Sequence, residues 1–133
     1  MAEMFTIQII TPDRVFYEGE ATMIEFNTEG GEIGVYPRHL PLTTVIRPGV
    51  VTIHEESGDK KAAVHAGFAE ILPDRVAIMA EIAEWADEID LDRAEEAKKR
   101  AEERIAEKAQ DTDMDRAEFA LKKAVVRIKL AGK

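Results

Sequence analysis

Hydrophobic and polar positions follow two different periods along this chain, and the change comes at Ile89-Asp90. Upstream, Phe5, Ile7 and Ile9 alternate with Thr6 and Gln8, and Ile24 and Phe26 flank Glu25. This is the period of two expected of strands with one buried and one wet face. Residues 50–54, 62–71 and 76–82 supply further apolar segments. Turn-forming residues separate them at Pro12-Asp13, Glu18-Gly19, Gly30-Gly31, Pro48-Gly49, Ser57-Gly58-Asp59 and Pro73-Asp74. That rhythm belongs to an all-β sandwich or barrel. It predicts eight to ten short strands over residues 4–84, packed as two sheets.

Downstream the grammar is helical. No Gly or Pro occurs between Asp74 and Ala131. Asp90 is placed to cap a first helix, Asp92 adds negative charge at its N-terminus, and Ala, Glu, Lys and Arg fill the following positions. Glu95 with Lys99 and Glu96 with Arg100 form i,i+4 pairs. A break is expected at Gln110-Asp111-Thr112-Asp113, where Thr112 and Asp115 have capping-box spacing, followed by a second helix over 114–131. Met114, Ala117, Leu121, Ala124, Ile128 and Ala131 mark a seam on the second helix. Leu91, Ala94, Ala97, Ala101, Ile105 and Ala109 answer it on the first. Alanine seams bring helix axes close but bury about one methyl per position, ~0.8 kcal/mol each. The pattern therefore predicts an α+β chain: a β-sandwich domain over 1–86 and a weakly held antiparallel helical hairpin over 87–133, with the only Trp, Trp85, at the joint.

Charge narrows the partners. The chain of 133 residues carries 27 acidic against 18 basic side chains, net −9, a balance that repels phosphate backbones and argues against nucleic acid. The excess is uneven: residues 1–89 hold 16 acids and 6 bases, whereas residues 90–133 hold 11 acids and 12 bases. The hairpin is thus electrostatically open to an anion. Absence of cysteine removes disulfides, thiolate nucleophiles and zinc-thiolate sites. Apolar runs fall far short of the ~20 residues that span a bilayer, and the start of the sequence lacks the pattern of a secretory leader, so a soluble protein is expected.

No catalytic constellation emerges. Ser57 is the only serine, His39, His54 and His65 lack metal-binding spacing, and no Gly-rich loop ends in Lys-Ser or Lys-Thr. Two features remain. The segment from Gly31 to Leu42 packs two further special residues, Pro37 and Pro41, around Tyr36, Arg38 and His39, which predicts a rigid loop. That loop is either a sandwich corner in which His39 caps a carbonyl or a contact surface. Arg93 and Arg100, seven apart, share one helical face, and Lys123 and Arg127, four apart, share another. Folded antiparallel, the pairs can converge on a polyphosphate, or they can form a solvated face of salt bridges.

Taken together, the loop Gly31-Glu32-Ile33-Gly34-Val35-Tyr36-Pro37-Arg38-His39-Leu40-Pro41, the acidic joint, the segment Ile89-Asp90-Leu91-Asp92-Arg93-Ala94 and the Ala-rich hairpin resemble the epsilon subunits of the bacterial F-type ATP synthases. The resemblance spans essentially the whole chain. It implies a ten-stranded antiparallel β-sandwich followed by a two-helix hairpin, in a noncatalytic subunit of the rotating central stalk at the cytoplasmic face of the cell membrane. The partners it implies are the gamma subunit, the ring of c subunits, and the α and β subunits when the hairpin extends to block ATP hydrolysis. It places Glu32 and His39 at the c ring. The segment Ile89 to Ala94 fits the I/L-D-x-x-R-A pattern with which some members bind ATP, so Glu84, Ile89, Asp90, Arg93, Ala94, Arg100, Lys123 and Arg127 become the expected ATP-binding residues. ATP, alone or with Mg²⁺, would be regulatory, and no cofactor is required. The pattern resembled has Arg where this chain has Lys123, which keeps charge but loses the bidentate fork. Two other readings stay open from the residues alone: a β-sandwich adaptor whose hairpin recruits an unrelated partner, and a small nucleotide hydrolase built on the basic cluster.

Overall fold

A computed structural model of the chain describes residues 3–107 and 113–132. Ten strands come first: β1 (Phe5–Thr11), β2 (Arg14–Ala21), β3 (Met23–Thr28), β4 (Gly31–Val35), β5 (Leu42–Ile46), β6 (Gly49–Glu55), β7 (Gly58–Val64), β8 (Gly67–Leu72), β9 (Arg75–Ala80) and β10 (Ala83–Trp85). A single 3₁₀ turn at Ala86–Glu88 leads into α1 (Leu91–Glu107) and then α2 (Met114–Ala131).

The expected two sheets are two layers of one hydrogen-bonded sheet. One layer runs β4-β3-β6-β7-β10 and the other β5-β8-β9-β1-β2, joined where β3 outruns β6 and pairs with β5 at Thr28↔Ile46. All ladders are antiparallel except β1 with β9. Alternation sorts the side chains as the sequence predicts: Ile7, Ile9, Ile24, Phe26, Ile53, Ile71 and Ile78 are fully buried between the layers.

The outer edges, β2 and β10, are closed by side chains instead of backbone. The Phe16 ring stacks on Trp85 with centroids 4.3 Å apart, Tyr17 meets the same indole edge-on, and its hydroxyl donates to Glu55 on β6. Burial and the Glu55 carboxylate push the Tyr17 phenol well above its usual range. Arg14 donates through Nη2 to both carboxylate oxygens of Glu88, at 2.9 and 2.8 Å, and the Trp85 N–H donates to Glu88 Oε1 at 2.9 Å. The joint between the two parts is thereby fastened to β2.

One turn signal and one strand candidate read differently in three dimensions. Glu18-Gly19 lies inside β2, opposite Gln8 and Ile7. Gly19 is there because a Cβ would fall 2.5 Å from the Tyr17 hydroxyl, so the glycine makes room for the ring. Conversely, residues 62–71 are not one strand: the chain breaks at Gly67, which has φ +138° and would place a Cβ 1.9 Å from the Met79 carbonyl oxygen. That break lets β7 pair in one layer and β8 in the other.

Asp90 caps α1 by accepting the Arg93 N–H at 3.1 Å, and Asp113 caps α2 by accepting the Arg116 N–H at 3.1 Å. Thr112, expected as the second cap, and Ala109 of the first seam lie outside the described residues. Within the seam, Ala94, Ala101, Ala117 and Ala124 are buried, while Leu91, Ile105, Leu121 and Ile128 are partly covered. The helices fold back on each other and α2 also packs on β6 and β7. Among the described residues no helix is long and apolar enough to cross a membrane.

Candidate functional site

Where the hairpin meets the joint, a pocket of about 390 Å³ opens between the N-terminal half of α1, the end of α2 and β10. Arg93, Ala94, Ala97 and Arg100 line it from α1, one helical face presented over two turns. Arg127 enters from α2, Glu84 from β10, and Glu88, Ile89 and Asp90 from the joint.

The charges in this pocket are unequally matched. Each carboxylate has a partner: Glu88 holds Arg14 and the Trp85 N–H, Asp90 caps α1, and Glu84 Oε1 accepts Arg127 Nε at 2.7 Å. The Trp85 N–H first, and Arg14 second, hold the Glu88 carboxyl below the usual carboxylate range. On the cationic side, Arg93 and Arg100 form no salt bridge among the described residues, and Arg127 is engaged through Nε alone, which leaves its Nη groups. Three guanidinium groups thus line a space in which every acid is already committed. Ile89, Ala94 and Ala97 add an apolar wall.

Seven of the eight residues expected to bind ATP line this one pocket; Lys123 does not. Its ammonium sits 5.1 Å from the Phe119 ring centroid, one turn back on the same helix. Glu88 and Ala97 are lining residues that sequence reasoning missed. Ala97 was within reach, three positions beyond Ala94 on the same face. Glu88 was not, because its orientation depends on Arg14, 74 positions away. His65 was also missed: it is fully buried, with Nε2 3.0 Å from Glu84 Oε1.

Glu32 and His39 lie elsewhere. Glu32 is exposed on β4 and lines an open cleft of about 790 Å³ shared with Asp115, Glu118, Phe119 and Lys122 of α2. His39 belongs to the loop after β4, where its Nδ1 is 2.6 Å from the Leu40 carbonyl oxygen. That loop is anchored by the Arg38 N–H to the Pro73 carbonyl at 2.7 Å, with Arg38 at φ 69°, and it leaves Tyr36 and Leu40 largely exposed. A second apolar surface crosses the outer face of the other layer. Val45 pairs with Phe68, Phe68 with Met79, Met79 with Ile10 and Ile10 with Val15. Val45, Phe68 and Val15 are each about half exposed, at 45%, 48% and 56%.

Comparison with known proteins places this architecture. Residues 4–86 match the family model described as ATP synthase, Delta/Epsilon chain, beta-sandwich domain, and residues 87–132 match its long alpha-helix domain. The chain belongs to the ATP synthase delta/epsilon family. Among curated relatives, the ATP synthase epsilon chain of Caldanaerobacter subterraneus subsp. tengcongensis is 41% identical over 134 residues, covering 100% of this chain and 97% of that one. The epsilon chain of Ruminiclostridium cellulolyticum is 42% identical over 101 residues, 76% of this chain and 75% of that one. The fold is shared with a chain of the Euglena gracilis mitochondrial ATP synthase OSCP/F1/c-ring structure, at a TM-score of 0.79 and 21% identity, covering 98% of this chain and 82% of that one. It is shared too with a chain of the Tetrahymena thermophila mitochondrial central stalk/c-ring structure, at 0.63 and 16%, covering 98% and 96%.

Proposed function

We propose that this epsilon-family chain is a noncatalytic subunit of the central stalk of an F-type ATP synthase, peripheral to the membrane at its cytoplasmic face, and that its hairpin is an ATP-sensitive brake on hydrolysis. The observation that carries the sensor role is the pocket in which Arg93, Arg100 and the Nη groups of Arg127 face a space whose carboxylates are already engaged. Its volume suits a nucleotide, the three guanidiniums suit a polyphosphate, and Ile89, Ala94 and Ala97 offer a surface to the base. Mg²⁺, if it accompanies ATP, would be carried by the phosphates.

The site draws on both helices and on β10, so it exists only while the hairpin is folded down. ATP therefore stabilises that form by RT ln(1 + [L]/Kd), ~2.7 kcal/mol at a hundredfold excess. A seam built mainly of alanines contributes little to the folded-down form by itself, so the added stabilisation by ATP is large enough to decide between the two forms. When ATP is scarce, the hairpin extends toward the α and β subunits and arrests the stalk.

For the rotor role, two surfaces offer themselves. The apolar row Val15, Ile10, Met79, Phe68 and Val45 is a partly exposed face of the kind the gamma subunit would cover. The anchored loop bearing Tyr36, His39 and Leu40, with Glu32 on β4, would meet the c ring.

Isothermal titration with MgATP tests the sensor: the proposal expects saturable binding, and none up to about 1 mM, an affinity of about −4 kcal/mol, removes it. Capture of the gamma subunit tests the rotor role independently, and failure to bind it would favour the adaptor reading.

A further inference from the structure

His65 lies in the link between β7 and β8, fully buried, its backbone N–H donating to the Ile82 carbonyl at 3.1 Å. Its ring reaches upward to the site: Nε2 is 3.0 Å from Glu84 Oε1, the oxygen that also accepts Arg127 Nε at 2.7 Å. Nδ1 has no hydrogen-bond partner among the described residues. The tautomer follows from the partners, with the hydrogen on the nitrogen that faces a carboxylate and the lone pair on the other. Burial first, then the nearby charges of Arg127 and Lys123, hold the ring below its ordinary pKa against the opposing pull of Glu84. The imidazole is therefore a neutral donor, built into the sandwich and aimed at one oxygen.

That oxygen sets the geometry of α2. A glutamate side chain has three rotatable bonds and, unheld, samples several rotamers. Held from beneath, the Glu84 carboxylate meets Arg127 along Nε, which leaves the Nη donors for the pocket that Arg127 lines. The chain His65, Glu84, Arg127 runs without a gap from the interior of one part to the surface of the other, and it is the described side-chain hydrogen-bond path between sandwich and α2.

We propose that His65 is a positioning residue: by pinning Glu84 it docks α2 on the sandwich and orients Arg127 for the nucleotide. The orienting half rests on the nucleotide site proposed above, whereas the docking half stands without it.

The test uses the full chain with His65→Val, which removes the donor at similar bulk, and His65→Gln, whose side-chain amide can present a donor near the position of Nε2. Amide hydrogen exchange without nucleotide reads docking, and calorimetric titration with MgATP reads the site. In His65→Val, α2 amides should exchange about tenfold faster while β1 and β9 keep their protection, and MgATP should bind about tenfold more weakly. His65→Gln should restore both. Wild-type behaviour in the Val variant overturns the proposal, as does a Gln variant as impaired as the Val one. If the wild-type chain binds no MgATP, the sensor reading fails and the exchange data alone decide the docking claim. Imidazole ¹⁵N shifts of the unaltered chain provide a check that needs no variant: the Nε2–H tautomer is expected, and the Nδ1–H tautomer refutes the arrangement.

Discussion

Arg93 and Arg100 are the residues on which the proposed nucleotide site stands or falls, because neither has another salt-bridge partner among the described residues. A charge-assisted hydrogen bond contributes about 1.5–3 kcal/mol, so Arg93→Ala and Arg100→Ala should each weaken MgATP binding by about 10- to 100-fold in calorimetry while the far-ultraviolet circular dichroism stays that of the wild type. Lys123→Ala should have a much smaller effect, since Lys123 stands over Phe119 and outside the pocket. The histidines make a second prediction, with opposite signs. On the sandwich surface, His54 Nε2 is 2.6 Å from Glu25 and Nδ1 2.8 Å from Asp59, and the Glu25 hydrogen bond is the chief cause of its raised pKa. A raised native pKa adds stability that is fully present below the unfolded value of about 6.5 and lost as pH rises through the native one. The melting temperature of His54→Asn should therefore fall furthest below wild type in acid and converge with it in alkali. For His65, facing Glu84 on β10 with Arg127 and Lys123 on α2, the native pKa is lowered, so its contribution is present above about pH 6.5 and lost as pH falls below it. At this scale the sequence was legible where helical spacing governs, as for Arg93, Ala94 and Arg100. It was silent where the partner is remote, as for Glu88 with Arg14 and Glu84 with His65.

Elements carry different margins. The β7–β8 break depends on a backbone only glycine adopts easily, with no room for a methyl beside Met79. Gly67→Ala should thus destabilise the chain by about 3 kcal/mol or more in denaturant unfolding, among the larger single-residue effects expected anywhere in it. In the hairpin, Ala124 is 1% exposed, buried in the helix seam. Ala124→Leu would overpack that seam by about 1–3 kcal/mol, and hydrogen exchange should show α1 and α2 losing protection while the strands retain theirs. The helices and strands β1, β3, β6 and β9 followed from the apolar pattern, and α2 spans the residues its pattern predicts, whereas β4 occupies the start of the Gly31–Leu42 segment that was expected to be a loop. Glu18-Gly19 misled as a turn signal because that glycine answers the Tyr17 ring, a packing demand that local propensity does not record.

Across the whole molecule, stability is unevenly divided. The sandwich buries isoleucines, valines and phenylalanines between two layers, whereas among the described residues of the hairpin those that are buried are all alanines. Local opening should therefore occur in the hairpin well below global unfolding, so that its amides exchange faster than those of β1, β6 and β9. A hundredfold excess of MgATP over its Kd should slow hairpin exchange by about a hundredfold and leave the sandwich unchanged. Equal protection in both parts, with or without nucleotide, would leave the brake without a hinge.

The alternating strands, the two helices, the apolar stripe on each helix and the face shared by Arg93 and Arg100 were determined by the sequence alone, because each depends on the spacing of residues a few positions apart. Only the tertiary structure decided that Phe16 and Trp85 close the sheet, that Arg14 secures the joint, that Lys123 stands apart, and that a buried His65 supports Glu84 beneath Arg127. These join residues from 19 to 74 positions apart, Lys123 excepted. Periodicity reports which face of an element is apolar, but not which other element that face will meet.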